Sequence, residues 1–216
     1  MSQDFYQQFY ESGDELFGSE PEACLINHVN LLSAGDVVLD IGAGQGRNSL
    51  YLLEKGILVD ALDPAEIAMQ SLSADAGDRY PGLRTYVSGF EEFSADRLYK
   101  GILIFGLIPD LDWKAINALQ EKVNQLSDTG SMIWISGFTN LDAALPRYRA
   151  SWQEIYPDSF RGSDGRIRTY LKPSQITELF SNCELLHHWE GFGPWHSHGD
   201  GNREQHAMFE AIFKRR

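Results

Sequence analysis

Residues 36–63 read DVVLDIGAGQGRNSLYLLEKGILVDALD, and this stretch decides the fold. The apolar run at 36–41 predicts a buried strand, and three closely spaced glycines follow it. Residues 46–56 have the spacing of a helix that ends at a glycine, and residues 57–63 predict a second strand. A strand, a glycine-rich loop, a helix and another strand form a unit in which the two strands run parallel.

The same alternation continues along the rest of the chain. Further strands are predicted at 83–88, 100–108, 128–138, 183–192 and 205–213, and further helices at 64–76, 112–126 and 173–180. Strands that alternate with helices predict an α/β fold with a doubly wound sheet and helices on both faces. No helix-length segment separates the last two strands, so we expect them to form an antiparallel hairpin.

The pattern of predicted strands and helices indicates one domain. We expect a single domain over residues 1–216 that begins with a helical segment at 1–34. Residues 139–172 fit no regular element and are too long for a plain connection. This segment is therefore predicted to be an insertion or cap, and it is a candidate lid.

Composition narrows the choice of partner. The formal net charge of -13 disfavours nucleic acid, because such a field repels phosphate backbones. A small neutral, zwitterionic or cationic ligand suits the charge better. The two cysteines, Cys24 and Cys183, are too few for a disulfide framework and match no zinc spacing. The polar N-terminus and the lack of a bilayer-length apolar run predict a cytoplasmic protein with no membrane contact.

The glycine loop predicts a nucleoside site. Glycines after a strand let a ligand approach the backbone, and Asp63 ends the second strand, where a ribose-binding carboxylate is expected. Asp40 at the first strand end would repel a pyrophosphate, and the G-x-G-x-G spacing departs from the dinucleotide pattern. S-adenosylmethionine fits better, because it has an adenosine and positive charge but no phosphate. A nicotinamide-dependent oxidoreductase is the disfavoured alternative.

These residues resemble a known family. VVLDIGAGQGRNSLYLLEKG followed by VDALD is similar to the first two motifs of class I S-adenosylmethionine-dependent methyltransferases. GQGRNSLYL, VDALD and the tail HSHGDGNR most resemble the tellurite-resistance methyltransferase group. The resemblance implies a Rossmann-like methyltransferase fold, whose seven-stranded sheet ends in an antiparallel hairpin, and S-adenosyl-L-methionine as the cofactor.

The resemblance also implies the residues that bind the cofactor. Asp40 and the three glycines would line the methionine end, Asp63 would bind the ribose, and Gly89 and Phe90 would lie at the adenine edge. The full set of predicted cofactor-binding residues is Asp40, Gly42, Gly44, Gly46, Asn48, Asp63, Pro64, Gly89, Phe90, Phe105 and Gly106. Tyr6 and Tyr10 could fold over the cofactor or simply pack on a helix face.

The loop between the last two strands is predicted to overhang the ligand, since the preceding strand ends at the carboxyl edge of the sheet. One hypothesis makes it catalytic, with His196 or His198 orienting or deprotonating the nucleophile. The resemblance favours His196 and Arg203 on the substrate side. The predicted catalytic residues are therefore His196, His198 and Arg203.

Two alternatives remain for this loop. His196, His198 and Asp200 alternate and His206 follows, which is compatible with a metal site, although we expect none. Asp200, Gly201 and Asn202 are also ordinary turn residues. His187 and His188 lie inside a predicted strand, and we expect them to be structural.

The insertion is rich in aromatic and basic residues. Trp152, Tyr156 and Trp195 could line a substrate pocket or pack in a core. The arginines there could meet an anionic substrate or form local ion pairs on the surface; they are Arg147, Arg149, Arg161, Arg166 and Arg168.

We therefore predict in-line transfer of a methyl group to a small-molecule acceptor, by positioning and exclusion of water. The alternative is a module that binds S-adenosylmethionine without catalysis. We expect a monomer or a homodimer.

Overall fold

A computed structural model describes Gln7, residues 18–195 and residues 203–216. The strands are β1 (Val37–Ile41), β2 (Leu58–Asp63), β3 (Leu83–Val87), β4 (Tyr99–Ile104), β5 (Ser127–Phe138), β6 (Gln153–Tyr156), β7 (Ser159–Arg161), β8 (Ile167–Thr169), β9 (Cys183–Phe192) and β10 (Ala207–Arg215). Seven of them form one sheet in the order β3-β2-β1-β4-β5-β10-β9. β10 is antiparallel to β5 and β9, and the other pairings are parallel. The predicted sheet and its terminal hairpin are confirmed.

Helices cover both faces of this sheet. They are α1 (Ala23–His28), α2 (Arg47–Glu54), α3 (Glu66–Ala76), α4 (Trp113–Leu126), α5 (Leu145–Ser151) and α6 (Gln175–Leu179). Asp112 caps α4 by accepting a hydrogen bond from the Ala115 backbone N–H at 3.0 Å. The predicted apolar stripe of α4 is buried; it comprises Ile116, Leu119, Val123 and Leu126.

The alternation of side chains along each strand separates two cores. On β4, Ile102 and Ile104 pack with the α4 stripe, whereas Leu103 between them packs in a second cluster. The second cluster holds residues of α1, α2 and α3, including Leu25, Leu52 and Leu72. A central strand buried on both faces explains why these runs are apolar without interruption.

The segment 139–172 is more regular than the sequence indicated. It contains α5 and a three-stranded antiparallel sheet in the order β6-β7-β8, so the expectation of no regular element was wrong. Three of its four elements have three or four residues, too few for a periodic pattern to be detected. Asp158 stabilises the segment by accepting hydrogen bonds from Asn140 at 2.9 Å and Arg149 at 2.7 Å.

The N-terminal segment is helical in the part that is described. α1 is followed by a 3₁₀ turn at Val29–Leu31. Tyr6 and Tyr10 lie outside the described residues. Within the described ranges, the helices are too short or too polar to cross a lipid bilayer.

Candidate functional site: a crevice at the carboxyl ends of the strands

A crevice opens where β1, β2 and β4 end. Its walls are formed by Gly18, residues 42–48, Asp63, Pro64, residues 105–107 and Asp110. Parallel strands in a doubly wound sheet present their ligand sites at this edge. Eight of the predicted cofactor residues line the crevice: Gly42, Gly44, Gly46, Asn48, Asp63, Pro64, Phe105 and Gly106.

The glycine loop needs glycine for two different reasons. Gly42, Gly44 and Gly46 have φ angles of 74°, 54° and 86°, a region that other residues adopt only with strain. A Cβ on Gly46 would also lie 2.2 Å from Leu72 Cδ1, so the loop packs directly on α3. A Cβ on Gly106 would meet no heavy atom within 4 Å, which leaves that backbone open to a ligand.

Asp63 holds the loop and faces the crevice. Its Oδ2 accepts a hydrogen bond from the Gly44 backbone N–H at 3.0 Å, and its Oδ1 accepts one from Ala65 at 2.9 Å. Burial raises the pKa of Asp63, and these two hydrogen bonds oppose that shift. Each oxygen has a further lone pair, so the carboxylate can still accept the two hydroxyl groups of a ribose.

Asp40 was predicted to line the methionine end of the cofactor site, and its contact with a ligand stays a prediction. It lies beneath the loop, is 2% exposed and accepts a hydrogen bond from Ser49 Oγ at 2.7 Å. Burial raises the pKa of Asp40 to about 6, against the opposing effect of that bond. Among the described residues it is not part of the crevice wall, so the geometry favours support of the loop over direct contact with a ligand.

Asn48 links the loop to the N-terminal segment. Its Oδ1 accepts a hydrogen bond from the Glu22 backbone N–H at 2.9 Å. The neighbouring Arg47 forms an ion pair with Glu22 and donates a hydrogen bond to the Glu20 carbonyl at 3.1 Å. One wall of the crevice is thus fixed to the chain that leads into α1.

The segment predicted at the adenine edge follows β3. Phe90 is 5% exposed and packs in the core cluster, and neither it nor Gly89 lines the crevice as described. The Ser88 backbone N–H donates to the Asp63 carbonyl at 3.2 Å, which brings this segment alongside the end of β2. The contact of this segment with adenine stays a prediction. The Phe90 side chain packs in the core.

A second polar group lies at the same edge of the sheet, between the end of β5 and the start of β10. His206 Nδ1 is 2.9 Å from Asp142 Oδ2. Asp142 also accepts hydrogen bonds from the backbone N–H groups of Ala207 at 2.9 Å and Ala144 at 2.8 Å. Burial by itself raises the pKa of Asp142, but the hydrogen bonds, that of His206 foremost, hold it below the usual value. Because an ionised carboxylate only accepts, Nδ1 of His206 carries the proton.

Contacts between side chains connect this pair to the crevice. The His206 ring stacks on Phe138 with centroids 4.5 Å apart. The Arg168 guanidinium lies 5.7 Å from the Phe138 ring and forms an ion pair of 3.5 Å with Asp110, which lines the crevice.

Thr169 Oγ1 donates to the Leu111 carbonyl at 2.6 Å, so the insertion borders the crevice rim. We call this region, formed by Phe138, Asp142, Arg168 and His206, the acceptor face.

Sequence reasoning missed the Asp142–His206 pair. His206 entered only as a fourth residue in the metal hypothesis, and Asp142 lies 64 positions away with no local pattern around it. The one available signal was that Asp142 closely follows β5, because residues that follow parallel strands lie at the edge of the sheet where ligands bind.

The predicted catalytic residues are only partly described. His196 and His198 lie outside the described residues, and their roles stay predictions. Arg203 is exposed, and its guanidinium lies 5.7 Å from the ring of Trp195, which is also exposed. Its role in catalysis is likewise a prediction.

The arginines of the insertion all have acidic partners. The pairs are Arg147–Glu204, Arg149–Asp158, Arg161–Asp112, Arg166–Asp164 and Arg168–Asp110. This arrangement supports local ion pairing over a lid that meets an anion. Trp152 packs edge-on against Tyr148 with centroids 4.8 Å apart, and Tyr156 is half exposed beside a separate shallow hollow.

The fold and the crevice together define the class. A seven-stranded sheet with β10 inserted antiparallel, a glycine loop after β1 and an acid at the end of β2 are the architecture of an S-adenosylmethionine-dependent methyltransferase. The family model described as tellurite resistance protein TehB matches residues 2–203, and the chain therefore belongs to that family. The class I methyltransferase predicted from the sequence, nearest to the tellurite-resistance group, is confirmed.

Solved structures agree on the fold. TehB from Haemophilus influenzae is 18% identical with a TM-score of 0.71, and the match covers 90% of this chain and 62% of that one. A methyltransferase from Methanosarcina mazei is 21% identical, with a TM-score of 0.68 and coverage of 91% and 98%. The 1,6-didemethyltoxoflavin-N1-methyltransferase of Burkholderia thailandensis is 20% identical, with a TM-score of 0.72 and coverage of 99% and 86%. No curated protein sequence matches this chain.

Proposed function

We propose that this protein transfers a methyl group from S-adenosylmethionine to a small-molecule acceptor. The observation that carries the proposal is Asp63, a buried carboxylate that faces the crevice beside a loop of three glycines. The crevice also presents Asp110, and Asp40 lies below it, an environment that disfavours phosphate and suits a cationic nucleoside.

The residues present fit that cofactor. Asp63 would accept the ribose hydroxyls, Pro64 would flank the adenine, and the open backbone at Gly106 would lie against the methionine portion. When bound, S-adenosylmethionine supplies an electrophilic methyl group on a sulfonium and leaves as a neutral thioether. The protein therefore needs chiefly to position the acceptor and exclude water.

The acceptor is proposed to be small and not an oxyanion. Each arginine of the insertion is already paired with a carboxylate, which partly neutralises its charge and so weakens its attraction for an anionic acceptor. The net charge of -13 likewise opposes anionic polymers. The Burkholderia neighbour was solved with the small molecule 1,6-didemethyltoxoflavin, which supports a ligand of that size.

The Asp142–His206 pair is proposed to prepare the nucleophile. Asp142 holds the His206 ring through Nδ1, and Nε2 on the other side of the ring lies 3.9 Å from Glu204 Oε2. An acceptor O–H or N–H that approaches Nε2 would lose its proton there as its oxygen or nitrogen forms the new bond to carbon. His196, His198 and Arg203 are proposed to complete the substrate side, and residues 139–172 to cap it.

The test is an acceptor screen that measures S-adenosylhomocysteine formation, with hydroxyl, amine and thiol compounds against chalcogen oxyanions. We expect turnover with an uncharged or cationic acceptor, and much less turnover in an Asp63→Asn variant at the same limiting concentration of S-adenosylmethionine. Tight binding of S-adenosylmethionine without product from any acceptor would instead support a binding module. Turnover with oxyanions alone would contradict the proposed acceptor class. A cytoplasmic location and a monomeric or dimeric state remain predictions from the sequence.

A further inference from the structure

A cluster of polar side chains lies on the outer part of the sheet, away from the crevice walls. Cys24 of α1, His187 of β9 and Glu210 of β10 place one ligand atom each within 4.8 Å of the other two. Cys24 is 2% exposed, and the other two are partly buried. Sulfur, imidazole nitrogen and carboxylate oxygen are the donors that zinc takes in proteins.

The sheet geometry explains why these residues meet. Ile212 pairs with His187 and lies two positions after Glu210, so all three side chains project from the same face. That face packs under α1, where Ile212 and Cys24 share one apolar cluster. Within this cluster the Glu210 carboxyl and the Cys24 thiol share a side-chain hydrogen bond, which partly offsets the cost of burying the carboxylate.

A second imidazole borders the cluster. His28 lies one turn after Cys24 on α1, and its ring is 4.6 Å from that of His187. Nδ1 of His28 lies 3.0 Å from the Cys24 carbonyl, and since a carbonyl only accepts, Nδ1 is the donor. The His28 ring therefore packs beside His187 and is fixed to α1 by this hydrogen bond.

We propose that Cys24, His187 and Glu210 form a binding site for a borderline divalent cation of the zinc type. Zinc bond lengths place such donors about 3.5 Å apart in a tetrahedral site, so binding would draw them together by about 1 Å. The inference is independent of the proposed methyl transfer.

Burial acts differently on two of these donors. It lowers the pKa of His187, and the neighbouring His28 and His188 act in the same direction. Burial and the charges of Glu210 and Glu22 raise the pKa of the Cys24 thiol to about 12. A bound cation would release the thiol proton to solvent and form the sulfur–metal bond.

The location suggests what the ion would do. The ion would join α1 to the terminal hairpin. Glu22, the residue before α1, already donates a backbone hydrogen bond to Asn48, which follows the glycine loop. The ion would thus fix the N-terminal segment against the sheet next to the cofactor crevice, as a structural site.

The test uses the full-length protein after chelator treatment, titrated with Co²⁺ and followed by absorption, and with Zn²⁺ followed by calorimetry. We expect one ion per chain, a thiolate-to-cobalt charge-transfer band and a higher melting temperature with zinc. Cys24→Ser should abolish the band and weaken zinc affinity by about 100-fold or more, since even loss of a group that only supports a ligand costs about 10- to 100-fold. His187→Gln should weaken affinity similarly.

Matched controls separate this site from other donors. Cys183→Ser removes the other buried cysteine, and His188→Ala removes the adjacent histidine; both should leave the band and the affinity unchanged. A variant with both His196→Ala and His198→Ala should also retain binding. The proposal fails if wild-type protein gives no thiolate–cobalt band, or if the band survives Cys24→Ser.

Discussion

The cofactor crevice and the acceptor face lie at the same edge of one sheet, but they are constructed in different ways. Much of the crevice comes from residues 42–48 and 105–107, two short runs that directly follow strands. The acceptor face is assembled from Phe138, Asp142, Arg168 and His206, which three different regions of the chain contribute.

This difference shows what each region requires of the fold. A backbone loop around a nucleoside is formed locally, because glycine conformation and the strand end before it are sufficient. The Asp142–His206 pair, by contrast, joins residues that are 64 positions apart in the chain. These two residues meet only because β10 lies beside β5 in the sheet. The crevice should therefore be damaged by changes in the loop, and the acceptor face by changes in single distant side chains.

The largest effect is expected at the acceptor face. His206→Ala should lower kcat by about 100- to 1000-fold with an acceptor that must lose a proton, because general-base catalysis contributes on this order. Affinity for S-adenosylmethionine should not change, since His206 does not line the crevice. His188→Ala is the matched control and should leave kcat unchanged. An unchanged kcat in His206→Ala would remove His206 from the mechanism.

Gly46→Ala should destabilise the folded protein, because it strains the glycine loop that forms the crevice. The φ angle of 86° and the 2.2 Å approach to Leu72 predict a loss of about 2 to 4 kcal/mol in the free energy of unfolding. Gly106 also has a positive φ, but an added Cβ there would lie in open space. Gly106→Ala should therefore lower the free energy of unfolding by only about 1 kcal/mol. Urea denaturation of both variants measures the contrast, and equal losses would contradict the packing argument.

Asp63→Asn should weaken S-adenosylmethionine binding by about 100-fold, because two hydrogen bonds to a charged group are lost or weakened. Calorimetry of the purified variant gives the affinity directly. Asp60→Asn changes another buried carboxylate of β2, one that accepts a hydrogen bond from the Tyr99 hydroxyl at 2.8 Å. That control should bind normally; equal weakening in both would point to a general loss of the fold.

Asp40→Asn should make stability less sensitive to pH. The native pKa of about 6 lies above the ordinary value of 3.8, so the native state holds the proton more tightly. The contribution of Asp40 to stability is therefore fully present near pH 4 and is lost as pH rises through 6, by roughly 2 to 3 kcal/mol at most. The variant should match wild type near pH 4 and exceed it at pH 7 in denaturation experiments. A difference that is constant with pH would mean that Asp40 titrates normally.

The smallest effect is expected in the insertion. Arg161→Gln removes an exposed pair with Asp112 of 3.5 Å and should change the free energy of unfolding by less than about 0.5 kcal/mol. Asp112→Ala also removes the cap of α4 and should cost about 1 kcal/mol. Turnover should be normal in Arg161→Gln, and a clear loss of turnover would favour the lid hypothesis.

Prediction from sequence succeeded where patterns were long or local. The strands of the large sheet, the α4 stripe and eight of the crevice residues followed from periodicity, glycine spacing and resemblance. It failed at β6 to β8, which have only three or four residues. Asp40 and Phe90 are buried outside the crevice wall, and their contacts with the cofactor stay predictions.

By itself the sequence determined the strands and helices of the layered sheet, its terminal hairpin, the glycine loop and the acid at the end of β2, because each follows from a pattern of residues that are close in the chain. Only the tertiary structure decided which distant polar groups meet. The Asp142–His206 pair depends on the insertion of β10 beside β5, and the Cys24–His187–Glu210 cluster depends on α1 packing across the hairpin. The physical reason is that a contact between remote segments follows from strand order and helix packing, which no local spacing in the chain encodes.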